Sequence, residues 1–361
     1  MKHILLIAVL LAALSCRSHE EAVQVRFDDK ASSIAEFVDK IQLIPLETDS
    51  VHILGENPEL LIADTSFVVS DWQNGNIFRY SLQGHFLNQI GQRGNGPFEF
   101  LSIDGLSYED SVVTVFSYPD KKLRYGLDGK QILECRIGDL GMFSFSYGDK
   151  ALTYYRYGAG VDYRAAILDS TGVTTRFLKD PNSNKVFNFM PLTPPIAKSN
   201  GVFLLDPFNT TVYEFDNNDI KPHISFNLRP YAVDDSYYKF DNPAEAAGYL
   251  FSQDYAYINK YAEGTHIKVV EIILNKQGVG KPYNGICYDG NWHWFSFGDF
   301  NSMGLSFKTV SSDDIVYLLF SPEDIDKFPE ELKEFVINKD CLQDLAADSN
   351  YVLAKLYLRT H

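Results

Sequence analysis

Short runs in which apolar and polar residues alternate dominate the chain, and the breaks between them fall at regular intervals. Around Leu82-Gln83-Gly84 a strand pattern, "NIFRYS", precedes a turn and a second, "HFLNQIG", follows it. The same plan recurs in "KLRYGLDGKQILECRIG", "YRAAILDSTGVTTRFL" and "TVYEFDNNDIKPHISF", turning at Gly129, Gly172 and Asn218. Glycine and asparagine tolerate the positive φ that a tight hairpin demands. Before each hairpin stands an apolar strand that stops at a corner: "FVVSDWQN", "VVTVFSYPD", "VFLLDPFN" and "VYLLFSPED". Asp71 and Asp206 share one register in these corners, and so do Asn74 and Asn209. A period of about 45 residues with several strands per unit predicts a β-propeller. Strict alternation excludes a helical solenoid.

Counting second strands gives six blades: Phe67–Ser70, Val112–Phe116, Leu152–Tyr155, Val202–Leu205, Tyr255–Asn259 and Ile315–Phe320. After the last lies "SPEDIDKFPEELKEFVINKDCLQDLAADS", with Ile325, Phe328, Leu332 and Phe335 at helical spacing and Pro329 at a helix start. The last blade is then one strand short. "KIQLIPLE", residues 40–47, is unassigned at the other end and is expected to pair with residues 350–358 as the outer strand, removing a free edge. The expected class is all-β, a six-bladed β-propeller with a short helical insertion in its last blade, spanning 40–361.

The N-terminus changes the picture. Lys2 precedes an apolar run from Ile4 to Leu14, shorter than the roughly 20 residues a bilayer span needs. Residues 1–15 read as a signal peptide. Ser15-Cys16 resembles the lipobox of bacterial lipoproteins, although Ala13 stands where that family usually has Leu. Cys16 is the expected lipidation site, 16–39 a lipidated tether, and the membrane a partner through the anchor, with the protein expected at the outer membrane on its periplasmic or surface-exposed face. Cys135, Cys287 and Cys341 are far apart and odd in number, which argues against a disulfide framework. The net charge of −16 leaves no basic stripe for nucleic acid.

Between the first two blades lies "FLNQIGQRGNGPFEFLSIDG". A nucleotide-binding reading needs a glycine loop between a strand and a helix. Here a strand follows, so a turn is expected, with Glu99 capping it and Phe100 packing on the next blade. The whole stretch from "FVVSDWQNGN" to "FLSIDGLSY" resembles an NHL-type repeat. With "IPLE" and the lipobox-like start, it resembles the six-bladed propeller lipoproteins of Bacteroidota over the whole mature chain, most specifically in residues 40–130. That resemblance implies a fold and an envelope location, not a reaction.

No nucleophile elbow, metal-type histidine spacing or cofactor motif is present, and no cofactor or metal is expected. In a propeller the second-to-third turns and the blade-to-blade connections open on one face. That face should gather Asp71, Trp72, Asn74, Arg93, Tyr118, Asp120, Asp206, Phe208 and Asn209. Asp and Asn also serve as turn formers. "GNWHWFSFGDF" is the densest aromatic cluster; read as the inner strand of blade six, it would bring Trp292, His293 or Trp294 to the channel, while blade-to-blade packing is the plainer reading. The expected function is a lipid-anchored ligand-binding or interaction scaffold for a glycan, peptide or envelope protein. The alternative is a hydrolase or lyase with its site at the channel mouth.

Overall fold

The structure, a computed structural model, describes residues 22–27, 33–138, 140–155, 159–179, 193–206, 208–234, 236, 239–295, 307–328, 330–342, 345–346 and 348–359. Among the described residues, six antiparallel units of four strands follow one another along the chain, one of them widened by a fifth, parallel strand. Blade one is Glu59–Ala63, Ser66–Asp71, Asn76–Ser81 and Phe86–Gln89; blade two runs from Gly105 to Arg136, blade three from Phe143 to Lys179 and blade four from Ile196 to Asn227. Blade five runs from Tyr255 to Phe295. Blade six takes Phe307–Val310, Ile315–Phe320 and Val352–Leu358 from the end of the chain, and its outer strand, Val38–Pro45, from the beginning. The first strands stand side by side around a central axis, and that of blade six returns to that of blade one.

Each blade-to-blade interface holds its own apolar cluster. Phe67, Val69 and Tyr80 of blade one meet Tyr317 and Leu319 of blade six, while Val68 and Ile77 face Val113, Val115 and Tyr125 of blade two. Strands whose two faces are both covered read as near-continuous apolar runs, as Phe67–Val69 and Val202–Leu205 do. This aromatic filling is what the Phe- and Tyr-rich sequence provides.

Closure of the ring is explicit in the register, with Ile41 opposite Leu356, Leu43 opposite Ala354 and Pro45 opposite Val352. The outer turns repeat one contact. Gly84 lies so close to Pro45 that a Cβ would stand 2.1 Å from its carbonyl oxygen, and Gly129 approaches the Gln89 carbonyl oxygen in the same way. Pro45 is therefore the counterpart of Gln89, the end of a preceding outer strand. Both glycines also hold positive φ, as do Gly172 and Asn218 at the equivalent turns. The helical insertion, with turns at Pro322–Lys327, Glu330–Lys333 and Lys339–Leu342, covers the free edge of the closing strand, where Val336 bridges to Ile41.

Three expectations are corrected. Tyr255–Glu263 is the first strand of blade five, not the second, which is Ile267–Lys276. The connection from blade four carries an unforeseen helix, Pro243–Ser252, capped by the Asn242 side chain on the Ala244 amide, and its length shifts the period by one strand. "NWHWF" is therefore the outer strand of blade five, and Trp292 and Trp294 do not line the channel. The segment expected as a tether is packed from Val23 onward. Val23–Gln24 adds a fifth, parallel strand to blade four, Phe27 sits edge-on to Tyr231 and Tyr283, and Ile34 is buried against blades five and six. Cys16 and the signal run lie outside the described residues.

Candidate functional site

The Gly-rich connection after blade one ties two turns of the same face into one unit. Gln92–Arg93 pairs in parallel with Glu99–Phe100. The Glu99 carboxylate accepts from the Gly96 amide at 2.7 Å and from Gln92 Nε2 at 2.5 Å. The Gly96 amide above all, with Gln92 beside it, holds that carboxyl below its ordinary range. Phe100 is fully buried between blades one and two. Phe98 holds a φ of +54°, rare for a bulky residue. Blade two fixes it from both sides: its amide donates to Glu134 and its carbonyl accepts from the Tyr125 hydroxyl at 2.6 Å. The stretch is thus a braced blade connection that runs into a strand, with the roles expected for Glu99 and Phe100.

Arg93 reaches from this loop over the turn of blade one. Its stem lies against Gly75, and its guanidinium is 3.5 Å from the Gln73 carbonyl oxygen. At the other end of the loop the Leu101 and Ser102 amides donate to Ser117 Oγ, and Lys121 donates to the Glu99 carbonyl at 2.9 Å. Tyr118 follows directly, its amide bound to Asp104 at 2.8 Å. On this framework Trp72 is 54 % exposed, Leu101 52 % and Tyr118 64 %. Phe251 and Val279 project from the same face over blades four and five, whereas among the described residues the opposite face's turns expose one large apolar side chain, Leu82.

The acidic and amide residues expected beside them mostly hold the turns. Asp71 is fully buried; its carboxylate accepts from the amides of Gly55 at 2.7 Å and Asn74 at 3.1 Å, and from the Asn74 side chain at 2.7 Å. Asp206 occupies the equivalent corner of blade four and accepts from the Tyr154 hydroxyl at 3.0 Å. Asn209 accepts from the Thr211 amide and donates to the Tyr213 hydroxyl. Asp120 is ion-paired with Arg136. Phe208 packs on Ala246 and Leu250 of the helix that sequence reasoning missed. The signal for that helix was present in "NPAEAAGYL", an Asn cap before Pro and Ala-rich residues.

Trp292 and Trp294 stack on each other and stand edge-on to Phe226 of blade four, which is the packing role. His293, on the other side of the strand, lies 4.6 Å from the Phe37 ring and lines a cavity of about 260 Å³ with Glu36, Tyr288 and Arg359. Sequence reasoning also passed over a charged knot between blades four and five. There Glu263 accepts from His223 at 2.6 Å, from Lys268 at 3.0 Å and from the Tyr261 hydroxyl. Burial raises the Glu263 carboxyl, but these donors outweigh it and hold the group at about 2. Among the described residues no group of three His, Cys, Asp or Glu side chains is arranged to hold a metal ion.

No curated protein matches the chain. Among solved structures it is similar to a protein of Bacteroides fragilis described as exported, at 18% identity and a TM-score of 0.75, covering 94% of this chain and 99% of that one. It is also similar to a member of the DUF4221 family from Bacteroides vulgatus, at 9% identity and a TM-score of 0.54, covering 90% of this chain and 98% of that one. At such identities the likeness is one of fold. A family model, described as domain of unknown function DUF4934, matches residues 22–357, almost the full length, and the chain belongs to that family.

Proposed function

We propose that the chain is a lipid-anchored propeller of the cell envelope that binds a glycan or a peptide on the face carrying Trp72, Arg93, Leu101 and Tyr118. One observation carries this reading: exposed aromatic side chains sit on turns whose backbones are fixed by hydrogen bonds to the Asp71, Asp104 and Ser117 side chains. A rigid exposed ring loses little entropy on binding, and aromatic and arginine side chains dominate interface energies. Asp71, Asp206 and Asn209 keep the turns in place, and Asn74 lies beside Trp72. The export attributed to the Bacteroides fragilis protein, the NHL-like repeat and the run ending at Ser15-Cys16 support the envelope location. One acyl chain binds a membrane only marginally, so firm anchoring at Cys16 needs more than one.

The test is a screen of soluble glycans and peptides, followed by Trp72→Ala and Arg93→Ala on any hit. Both changes should weaken binding tenfold or more, about 1.4 kcal/mol or above, with the melting temperature unchanged. Destabilised variants that bind as before would make these residues packing, not site. For the anchor, Cys16→Ser should release the protein from the membrane fraction; retention would reject lipidation.

A further inference from the structure

The first strands of blades five and six, innermost in their sheets, each carry a β-bulge, and among the described residues no other first strand does. In blade five the register slips between Ile258 and Lys260, leaving Asn259 as the extra residue. In blade six it slips between Phe307 and Thr309, leaving Lys308. Bulges re-aim side chains and recur beside sites. The freed Asn259 side chain donates to the buried Glu271 at 2.6 Å, and Lys260 donates to the Phe307 carbonyl at 3.1 Å. Lys121 and Lys122 find protein acceptors in the same manner, and the partly buried Lys355 lies over the Phe67 and Tyr317 rings. Lys122, 1 % exposed, donates to the carbonyls of Gly148 and Lys150, and Lys121 to those of Gly96 and Glu99.

Lys308 does not follow this rule. It is only partly accessible, yet among the described residues its ammonium makes no hydrogen bond or ion pair. An ammonium carries three donors and no acceptor. We propose that Lys308, flanked by Lys260, binds the carboxylate of a small organic acid within the central channel. Glu59 and Glu271 are electrostatic neighbours of Lys308, and acidic neighbours repel a dianionic phosphate more than a monoanion. This site is separate from the exposed rim, and neither reading depends on the other.

The titration of Lys308 sets the pH dependence that such binding should show. Burial pushes the amine down to about 8, with Lys260 adding to the depression and Glu59 and Glu271 opposing it. A bound carboxylate favours the charged form, so binding should require the protonated amine. For a group titrating at about 8, the protonated fraction falls roughly thirtyfold between about pH 7 and about pH 9.5.

The test is calorimetric titration of the full chain in detergent with sodium acetate, inorganic phosphate and sodium chloride at those two pH values. Acetate should bind saturably at the lower pH, roughly thirtyfold more weakly at the higher, and more tightly than phosphate or chloride. Lys308→Met should abolish binding while the protein remains folded, because it removes an unpaired charge. If that variant does not fold, proton uptake by the wild-type chain decides the matter: about half a proton per acetate bound at about pH 8, read from heats in buffers of different ionisation enthalpy. Absence of saturable acetate binding would overturn the proposal. So would a preference for phosphate, pH-independent affinity, or undiminished binding by folded Lys308→Met.

Discussion

Ile41→Ala probes the closing strand in isolation from the site. Ile41 is fully buried, its amide donates to the Phe335 carbonyl, and its side chain packs into the blade five–six cluster with Val316, Leu318 and Leu356. The substitution removes three carbons from a packed interior and leaves the backbone bonds in place. Large-to-small changes of this kind cost about 2–5 kcal/mol, and a site pinned between a sheet and a helical insertion has little room to collapse, so about 3 kcal/mol is expected. With an unfolding entropy of roughly 2 cal/mol/K per residue, that lowers the melting temperature by about 4 °C for a chain of this length. Val51→Ala, at a position 74 % exposed a few residues beyond the same strand, is the control and should stay within about 0.5 kcal/mol. Denaturant unfolding followed by tryptophan fluorescence gives both values. Indistinguishable midpoints would mean that the chain does not use residues 38–45 to close the ring.

The packed segment before the closing strand gives a second test: Phe27→Ala should cost about 1–2 kcal/mol in the same assay, through its edge contacts with Tyr231 and Tyr283; a silent change would restore the tether reading. The charged knot gives a third. Glu263 titrates at about 2, below its ordinary value of 4.5, so its stabilisation is complete above about pH 4.5 and is lost as pH falls toward 2. Glu263→Gln should therefore lower stability at neutral pH and flatten the acid limb; an acid limb with the wild-type slope would refute the knot's role.

The repeat was legible because the turn after the third strand of each of the first four blades contains a residue that holds positive φ, and Gly84, Gly129, Gly172 and Asn218 announce those turns. The closing strand was legible by subtraction, since one blade lacked a strand and "KIQLIPLE" lacked a partner. Blade five was misread because its connection contains a helix and its strands are nine and ten residues long, so the period slipped. Trp292 and Trp294 went astray with it. Val23, Val25 and Phe27 were hidden for another reason: an isolated apolar alternation beside charged residues looks like a tether until a neighbouring edge, here Phe226–Asn227, is known to be free. On the working face, residue type showed where the turns lie but not which side chains remain available. Asp71 and Trp72 are adjacent in sequence, yet one is consumed by its own turn and the other stands in solvent.

The central claim is that one face of the ring carries the interaction surface. Photo-crosslinking in cells tests it most directly, with a photoreactive amino acid placed at Tyr118 on that face or at Leu82 on the opposite one; both positions are exposed. The account predicts a discrete adduct from position 118, lost when Trp72→Ala and Arg93→Ala are combined in the same chain, and none from position 82. An adduct from position 82 alone, or equal adducts from both, would contradict it.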